Sequence, residues 1–378
     1  MKKFFTLLFL AIGLTAAAQN SEKYEHFKEL RNEADTTGMK QMLDQWGEED
    51  PEYYAAWTNY CLVMAEEAED FDWLPMAVNW ARMGREAFPD SELLYHKLAD
   101  ALYENEQYDE ALAVLHEIEE KGFDDGATWY LLADIYRMGY DVEKALYYVE
   151  KMKEEGDEYD QDYASYMLDY FQDWQHERDS LAIHPDHDAI RAFAETEAFR
   201  ELTGRFVACD TTLTLDEMAT VYYGNSYVNS HELANLDLEP IQEMAQEGKY
   251  REAFDALLER LEDHPVSLYL LMSLNNLADA VEEDSYPFYW KAQNLLNIIS
   301  YSGVGNKTDS PFEVICINDE YQLLLQIFGM KEFVSQSLVD GPLDEMTFLN
   351  SNGIRQTLYF RLTPPYWERL NALSQDND

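Results

Sequence analysis

The sequence predicts a mainly α fold: an α-solenoid of stacked helical hairpins, then an α+β domain that keeps similar hairpins and ends in a small sheet. Three observations lead there. Around Ala111 and Ala145 nearly every residue recurs at an offset of 34: Tyr95 with Trp129, Leu98 with Leu132, Ala99 with Ala133, Leu102 with Tyr136, Leu115 with Val149, Ile118 with Met152. A fixed period, with a large residue in one helix and a small one opening the next, marks stacked hairpins, because one hairpin cannot bury its own apolar face. A second set of hairpin positions lies between residues 236 and 299: Tyr250, Ala253, Leu257 and Pro265, then Leu271, Leu274 and Ala278. Beyond residue 311 the texture changes to short β-branched runs separated by Asp340-Gly341-Pro342 and Asn350-Ser351-Asn352-Gly353 turns.

In chain order, Lys2 and Lys3 precede an apolar run from Phe4 to Leu14, and Ala16-Ala17-Ala18 offer the small side chains a signal peptidase accepts. A signal peptide over 1–18, cleaved after Ala18 to leave Gln19 first, is expected. The run is too short for the ~20 apolar residues of a spanning helix, and no later stretch approaches that length. The first cysteine is Cys61, so a lipid anchor is not expected either, and the protein is read as exported, periplasmic or secreted, and soluble. Residues 20 to 48 hold one or two short helices that cap the array, since a terminal repeat needs a polar outer face. Cys61, Met64, Ala65 and Ala68 open a degenerate repeat whose second helix carries Ala77 and Ala81 and stops at Pro89. Trp57 offers a competing frame, with an insertion near Glu69 to Trp73. After the repeat ending near Met152, a Tyr- and Asp-rich helix from Tyr163 to Trp174 closes the other end.

Pro185, in the polar stretch from Glu177 to Asp188, marks the boundary between a helical repeat domain over 19–184 and an α+β domain over 185–378. Ala189 to Leu202 is expected as one helix. Thr214 and Glu217 form a capping box, in which the hydroxyl accepts a helix amide and the carboxylate reaches back. The helix they open is expected to end at Gly224, where a left-handed turn costs glycine nothing sterically. Phe312 to Asn318 is expected as a strand, Glu320 to Phe328 as a helix stopping at Gly329, and Phe333–Val339, Met346–Leu349 and Thr357–Leu362 as further strands.

Against 27 basic residues stand 75 acidic ones, a formal charge of −48. That argues against nucleic acid and against anionic membrane surfaces, which both demand counter-charge. It favours solubility or a basic partner. With 27 Tyr, 18 Phe and 8 Trp there is ample material for a core. Three cysteines leave at least one unpaired. Cys61 and Cys316 read as small buried hydrophobes, and a Cys209–Cys316 pairing stays open because connectivity cannot be deduced from sequence.

No motif supplies a chemistry. Tyr301 to Thr308, Y-S-G-V-G-N-K-T, has the outline of a phosphate loop, but Asn306 stands where a glycine is required and the run follows a helix and precedes a strand. It reads as a connector. His184-Pro185-Asp186-His187-Asp188, with His176 and Glu177 nearby, is the one His/Asp concentration, yet its spacing sets no zinc geometry; a helix-capping Asp with solvated His is expected. Asp157, Asp160 and Asp162 lack the central glycine of a calcium loop. There is no nucleophile elbow and no catalytic cysteine signature. Accordingly no catalytic, cofactor-binding or metal-ligating residue is assigned, and no cofactor.

This register, with its Trp/Tyr, Leu and Ala positions, resembles the tetratricopeptide repeat, a module that binds other proteins. In that family alternate turns of each first helix line a concave surface that holds peptides. Carried over through the register, the resemblance implies Leu93, His96, Asp100, Tyr103 and Glu104, then Ala127, Tyr130, Asp134, Arg137 and Met138. The degenerate repeat adds Asn59, Leu62, Glu66, Glu69 and Asp70. The family's clamp for a C-terminal carboxylate uses Lys and Asn on these faces; here Arg137 is the only cation, and the lining is acidic and aromatic. It suits a Lys- or Arg-bearing segment through charge-assisted bonds and ring–cation contact.

Leu202-Thr203-Gly204-Arg205-Phe206, Asp210-Thr211-Thr212-Leu213-Thr214, Tyr222-Tyr223-Gly224 and Asp319-Glu320-Tyr321 with Gly329 resemble a domain-of-unknown-function family of exported Gram-negative bacterial proteins, over roughly residues 195 to 375. That resemblance implies a fold relationship and an exported setting but no activity. The expectation is a scaffold or adaptor, not an enzyme, that holds a partner protein or peptide of basic character. The alternative is an envelope hydrolase acting on peptide or glycan from a site in the C-terminal domain.

Overall fold

The computed structural model describes residues 22–46, 50–233 and 238–375. The leader expected over 1–18, and Gln19, lie outside them. The chain divides into two compact units, one running to Trp174 and taking in Asn352–Arg355, the other holding Gln175–Ser351 and the chain from Gln356.

The first unit is a run of helical hairpins. Helices α1 (Glu22–Asn32) and α2 (Thr36–Asp44) open it, followed by α3 (Pro51–Glu67) and α4 (Trp73–Ala87). Then come α5 (Glu92–Glu104), α6 (Tyr108–Lys121), α7 (Gly126–Met138) and α8 (Val142–Glu155). Each boundary of the α5/α6 hairpin recurs in the α7/α8 hairpin at the same offset that separates Ala111 from Ala145. Local chemistry sets the starts. Asp125 accepts the Thr128 amide at 2.9 Å and Asp141 that of Lys144 at 3.2 Å, each satisfying a helix donor left without a partner. The obligatory small residues Ala77, Ala111 and Ala145 are 0% exposed. A larger side chain there would push the hairpins apart.

The degenerate repeat resolves its two frames by making both part of one helix. Asp50 caps the Tyr53 amide at 2.7 Å and Pro51 occupies the first turn, so α3 starts well before Cys61. Trp57 then lies flat against Trp80 of α4, with ring centroids 4.9 Å apart. The last helix of the unit, α9 (Glu158–Ser180), is longer than expected at both ends and continues past Trp174.

In the second unit, helices α10 (His187–Ala194), α11 (Glu197–Val207), α12 (Leu215–Leu233), α13 (Glu239–Gln246), α14 (Tyr250–Asp263), α15 (Leu268–Ala278) and α16 (Tyr286–Ser300) precede the sheet. Two expectations are corrected here. Ala189 to Leu202 is not one helix: it breaks at Glu195-Thr196, where Thr196 Oγ1 accepts the Phe199 amide at 3.2 Å and starts α11 afresh. And α12 does not end at Gly224 but runs on to Leu233. Gly224 is a packing residue: a Cβ there would stand 2.4 Å from Cε2 of Phe199. The capping box that opens α12 is formed, Glu217 N to Thr214 Oγ1 at 3.2 Å and Thr214 N to Glu217 Oε2 at 2.8 Å.

Strand β1 (Phe312–Val314), helix α17 (Ile317–Gln326), strands β2 (Glu332–Asp340), β3 (Leu343–Leu349) and β4 (Arg355–Leu362), and helix α18 (Pro364–Gln375) complete the chain. The sheet order is β1-β4-β3-β2, with β1 parallel to β4 and β2 antiparallel to β3. The first strand is shorter than expected because the Asp319 amide bonds to Cys316 O, turning the apolar run into α17. The fold is thus a mainly α array of hairpins followed by an α+β unit. Its second core joins Phe206, Tyr222, Tyr223 and Phe254 to Phe312, Phe348 and Phe360.

Candidate functional sites

The expected lining residues share one face of α5 and α7 by their i, i+3, i+4, i+7 spacing, and the structure links the two helices there. Tyr103 Oη donates to Asp134 Oδ2 at 2.6 Å, and Arg137 Nε donates to Asp134 Oδ1 at 3.0 Å. Lys97 Nζ holds Asp100 Oδ2 at 2.6 Å, with the Lys97 side chain only 10% exposed. His96 Nε2 meets Phe123 O at 3.0 Å. Leu93, Ala127 and Met138 are half-buried on the same face.

The ring system is larger than the register alone indicates. Tyr163 of α9 meets Tyr130 edge-on at 5.3 Å, and Tyr108 meets Tyr103 at 5.6 Å. Tyr130 is consequently buried, 8% exposed. Burial, and then the neighbouring Asp134 carboxylate, hold the hydroxyls of Tyr103 and Tyr130 protonated far above the usual tyrosine range. Burial pushes Glu104 up to about 7, with Asp100 and Glu66 adding repulsion. It also raises Glu66, next to Glu67.

The degenerate repeat departs from expectation. Asn59 and Leu62 are buried, because Tyr24 of α1 lies against α3 and its Oη accepts from Asn59 Nδ2 at 3.2 Å. Of that repeat's expected set, Glu66 is half-buried and Glu69 and Asp70 are exposed. Nor is Arg137 the one cation near the lining: Lys97 is bonded to Asp100, and buried Arg31 of α1 feels the charge of Asp100. The acids of this face are largely neutralised from within.

The second unit holds two open clefts. One, about 530 Å³, is lined by apolar Ile190, Phe193 and Leu202 and by charged Glu201, Arg205 and Glu217 among others. Arg205 is fixed there by Asp210 at 2.7 Å and Glu217 at 3.4 Å. Its partners hold Asp210 at about 2, chiefly through the Thr212 hydroxyl and amide. The other cleft, about 350 Å³, is lined by Pro185, His187, Glu313, Arg361 and Trp367 among others. His187 is not solvated as expected: Nε2 pairs with Glu313 and Nδ1 with the Tyr227 hydroxyl at 2.9 Å. Both ring nitrogens are thus engaged within the protein. Asp186 does cap its helix, accepting the Ala189 amide at 3.0 Å.

The Asp319-Glu320-Tyr321 motif builds the fold. Asp319 accepts from Tyr222 Oη at 2.7 Å, and burial raises its carboxyl to about 7, against the pull of Tyr222, Cys316 and the Leu268 amide. Burial and the adjacent Asp344 drive Glu320 well above its usual range, while Gln336 reaches Glu320 at 3.3 Å and takes Tyr321 Oη at 2.8 Å. These acids line neither cleft. The phosphate-loop look-alike is explained by packing: Gly305 sits at φ +79°, and a Cβ there would be 2.0 Å from the Phe312 ring. Cys61, Cys209 and Cys316 are free thiols. Among the described residues no group of three or more His, Cys, Asp or Glu converges in a way that could hold a metal ion, and no helix is long and apolar enough to cross a membrane.

Residues 186–370 match the model of a family described as a domain of unknown function, DUF4919. The match falls in the C-terminal half of the chain. No curated protein matches the chain.

Proposed function

We propose that this chain is an exported interaction scaffold whose first unit, a tetratricopeptide-like array, holds a protein or peptide segment on the α5/α7 face. The observation that carries the reading is the recurrence of every α5/α6 boundary in α7/α8 at one constant offset, with Ala111 and Ala145 fully buried. Stacked hairpins of this kind repeat one face many times over and so make extended binding surfaces. The Tyr103–Asp134–Arg137 link and the Tyr130–Tyr163 contact give that face a rigid aromatic centre of the sort that anchors partners. The Lys2-Lys3 start, the apolar run and Ala16 to Ala18 support export.

A photo-crosslinking residue placed at Met138 tests the site, with one at Tyr147, an exposed α8 position, as the control. A discrete adduct from Met138 and none from Tyr147 is expected. Equal labelling from both positions would refute the face. For export, mass spectrometry of the native protein should find Gln19 first and no lipid; a retained Met1 in cytoplasmic fractions would overturn it.

A further inference from the structure

Strand β2 is an edge of the sheet, since the order is β1-β4-β3-β2. Eight of its nine residues, all but Gln336, are exposed, and they include Phe333 (41%), Val334 (39%), Leu338 (54%) and Val339 (46%). An edge strand presents a row of unpaired N–H and C=O groups, and sheets that must stay monomeric guard it with lysine, proline or inward charge. Phe333 to Val339 contains no charge and no proline, in a chain that is 27% charged residues. Single exposed hydrophobics need no explanation, but here four fall on one uncharged edge strand.

The sequence of the strand says what covers it. Glu332-Phe333-Val334-Ser335-Gln336-Ser337-Leu338-Val339-Asp340 has the same order of side-chain types read from either end. Two copies related by a two-fold axis contact through the same patch, and two edges paired about such an axis run antiparallel. With the axis at Gln336, Phe333 faces Val339 of the second copy, Val334 faces Leu338, and Ser335 faces Ser337. Every apolar residue meets an apolar one and each serine a serine, which are favourable cross-strand pairs. A foreign strand would have no reason to impose this symmetry. The ladder to β3 shifts register at Val334 and again at Val339, so its regular run, Ser335 to Leu338, contains the Gln336 axis and the Ser335–Ser337 pair. Only the end pair, Glu332 against Asp340, sets like charges together, and it lies at the solvent-facing limit of the ladder.

We propose that β2 is a homodimer contact, pairing antiparallel with β2 of a second copy about Gln336 and joining the two four-stranded sheets into one. The two chains carry −48 each, so their approach is opposed by long-range repulsion that salt screens. The dimer should therefore tighten, not weaken, as ionic strength rises from about 0.05 to about 0.5 M.

The test uses the full mature chain and light scattering after size exclusion, over a concentration series. Twice the chain mass is expected at high concentration, and the double variant Val334→Lys/Leu338→Lys should dissociate at least tenfold more readily with unchanged circular dichroism. Cysteine pairs then fix the register. Opposed residues on antiparallel strands lie within disulfide reach, whereas diagonal ones stand ~7–8 Å apart. A mixture of Ser335→Cys and Ser337→Cys chains should cross-link on oxidation, and Ser335→Cys alone should not. A monomer at every concentration overturns the proposal. So does a dimer that survives the lysine pair, one that weakens with salt, or cross-linking of Ser335→Cys alone.

Discussion

Replacing Gly224 by alanine sets two effects of known size against each other. In the interior of α12, alanine is a better helix former than glycine by ~1 kcal/mol, which favours the variant. The added Cβ, however, would stand 2.4 Å from Phe199 Cε2 and 2.7 Å from Cζ. Ordinary carbon contacts lie at ~3.5–4.0 Å, so the ring must withdraw by about an ångström. It has little room, being 3% exposed and set edge-on to Phe193 at 6.0 Å. Overpacking of this kind costs ~1–3 kcal/mol, and near the upper end it outweighs the propensity gain. Gly224→Ala should destabilise the second unit by ~1–2 kcal/mol, a few degrees in its melting temperature.

The partner variant Phe199→Leu removes the ring tip that the new methyl would strike. It destabilises by itself, but in its background Gly224→Ala should become neutral or stabilising by up to ~1 kcal/mol. Urea unfolding of the four chains, followed by circular dichroism, completes the double-mutant cycle. Two additive costs, or a Gly224→Ala variant more stable than the parent, would show that the glycine is not kept for the Phe199 contact.

Ala145→Arg should overpack the α7/α8 junction and cost on the order of 3 kcal/mol or more in the first unit, leaving the second unit's unfolding in place; unchanged melting would refute the repeat register. Glu104 has a folded-state carboxyl raised from 4.5 to about 7, so its acid form is favoured and stability falls as pH rises across that window. Glu104→Gln should abolish that slope and gain up to ~3 kcal/mol above pH 7, read as urea midpoints at pH 5 and 8. Alkylation followed by mass spectrometry should label Cys209 in the folded protein and all three cysteines after unfolding, because Cys61 and Cys316 are buried with thiols pushed up by burial. Once a partner is captured, Tyr103→Ala with Tyr130→Ala should mainly speed its dissociation, while Asp100→Asn, Glu104→Gln and Asp134→Asn should mainly slow association; a partner indifferent to both sets binds elsewhere.

The hairpin array was legible because its signal is periodic: a register that recurs along the chain is checked at many positions at once. The two misread helices failed for a local reason. A glycine that ends a helix and a glycine that admits a neighbouring ring look alike in sequence, and only Phe199, on the preceding helix α11, distinguishes them at Gly224. The break at Thr196 has a local sign, a hydroxyl residue three places before Phe199, but it sits inside a continuous helical pattern that masks it. The register names a candidate face but not the bonds within it or within the second unit's cleft, since Tyr103–Asp134 on the face and His187–Glu313 in the cleft join residues 31 and 126 apart. Pairings at such separations follow from packing, not from spacing.

Those pairings alter what the charge of this chain means for binding. A count of −48 suggests a face that grips basic segments by its acids. Yet Asp134 already accepts Tyr103 and Arg137, Asp100 is held by Lys97, and Glu104 is pushed toward its neutral form. A basic ligand would have to displace those partners, and the exchange of one ion pair for another near the surface yields only ~0.2–1 kcal/mol. The rings face no such competition: Tyr103 is oriented by its own bond to Asp134, and Tyr130 is braced by Tyr163. On the proposed scaffold reading, the half-buried rings of Tyr103 and Tyr163 supply the accessible part of that rigid aromatic surface over buried Tyr130, so discrimination between partners would fall to them, and the net charge would govern solubility and the speed of encounter.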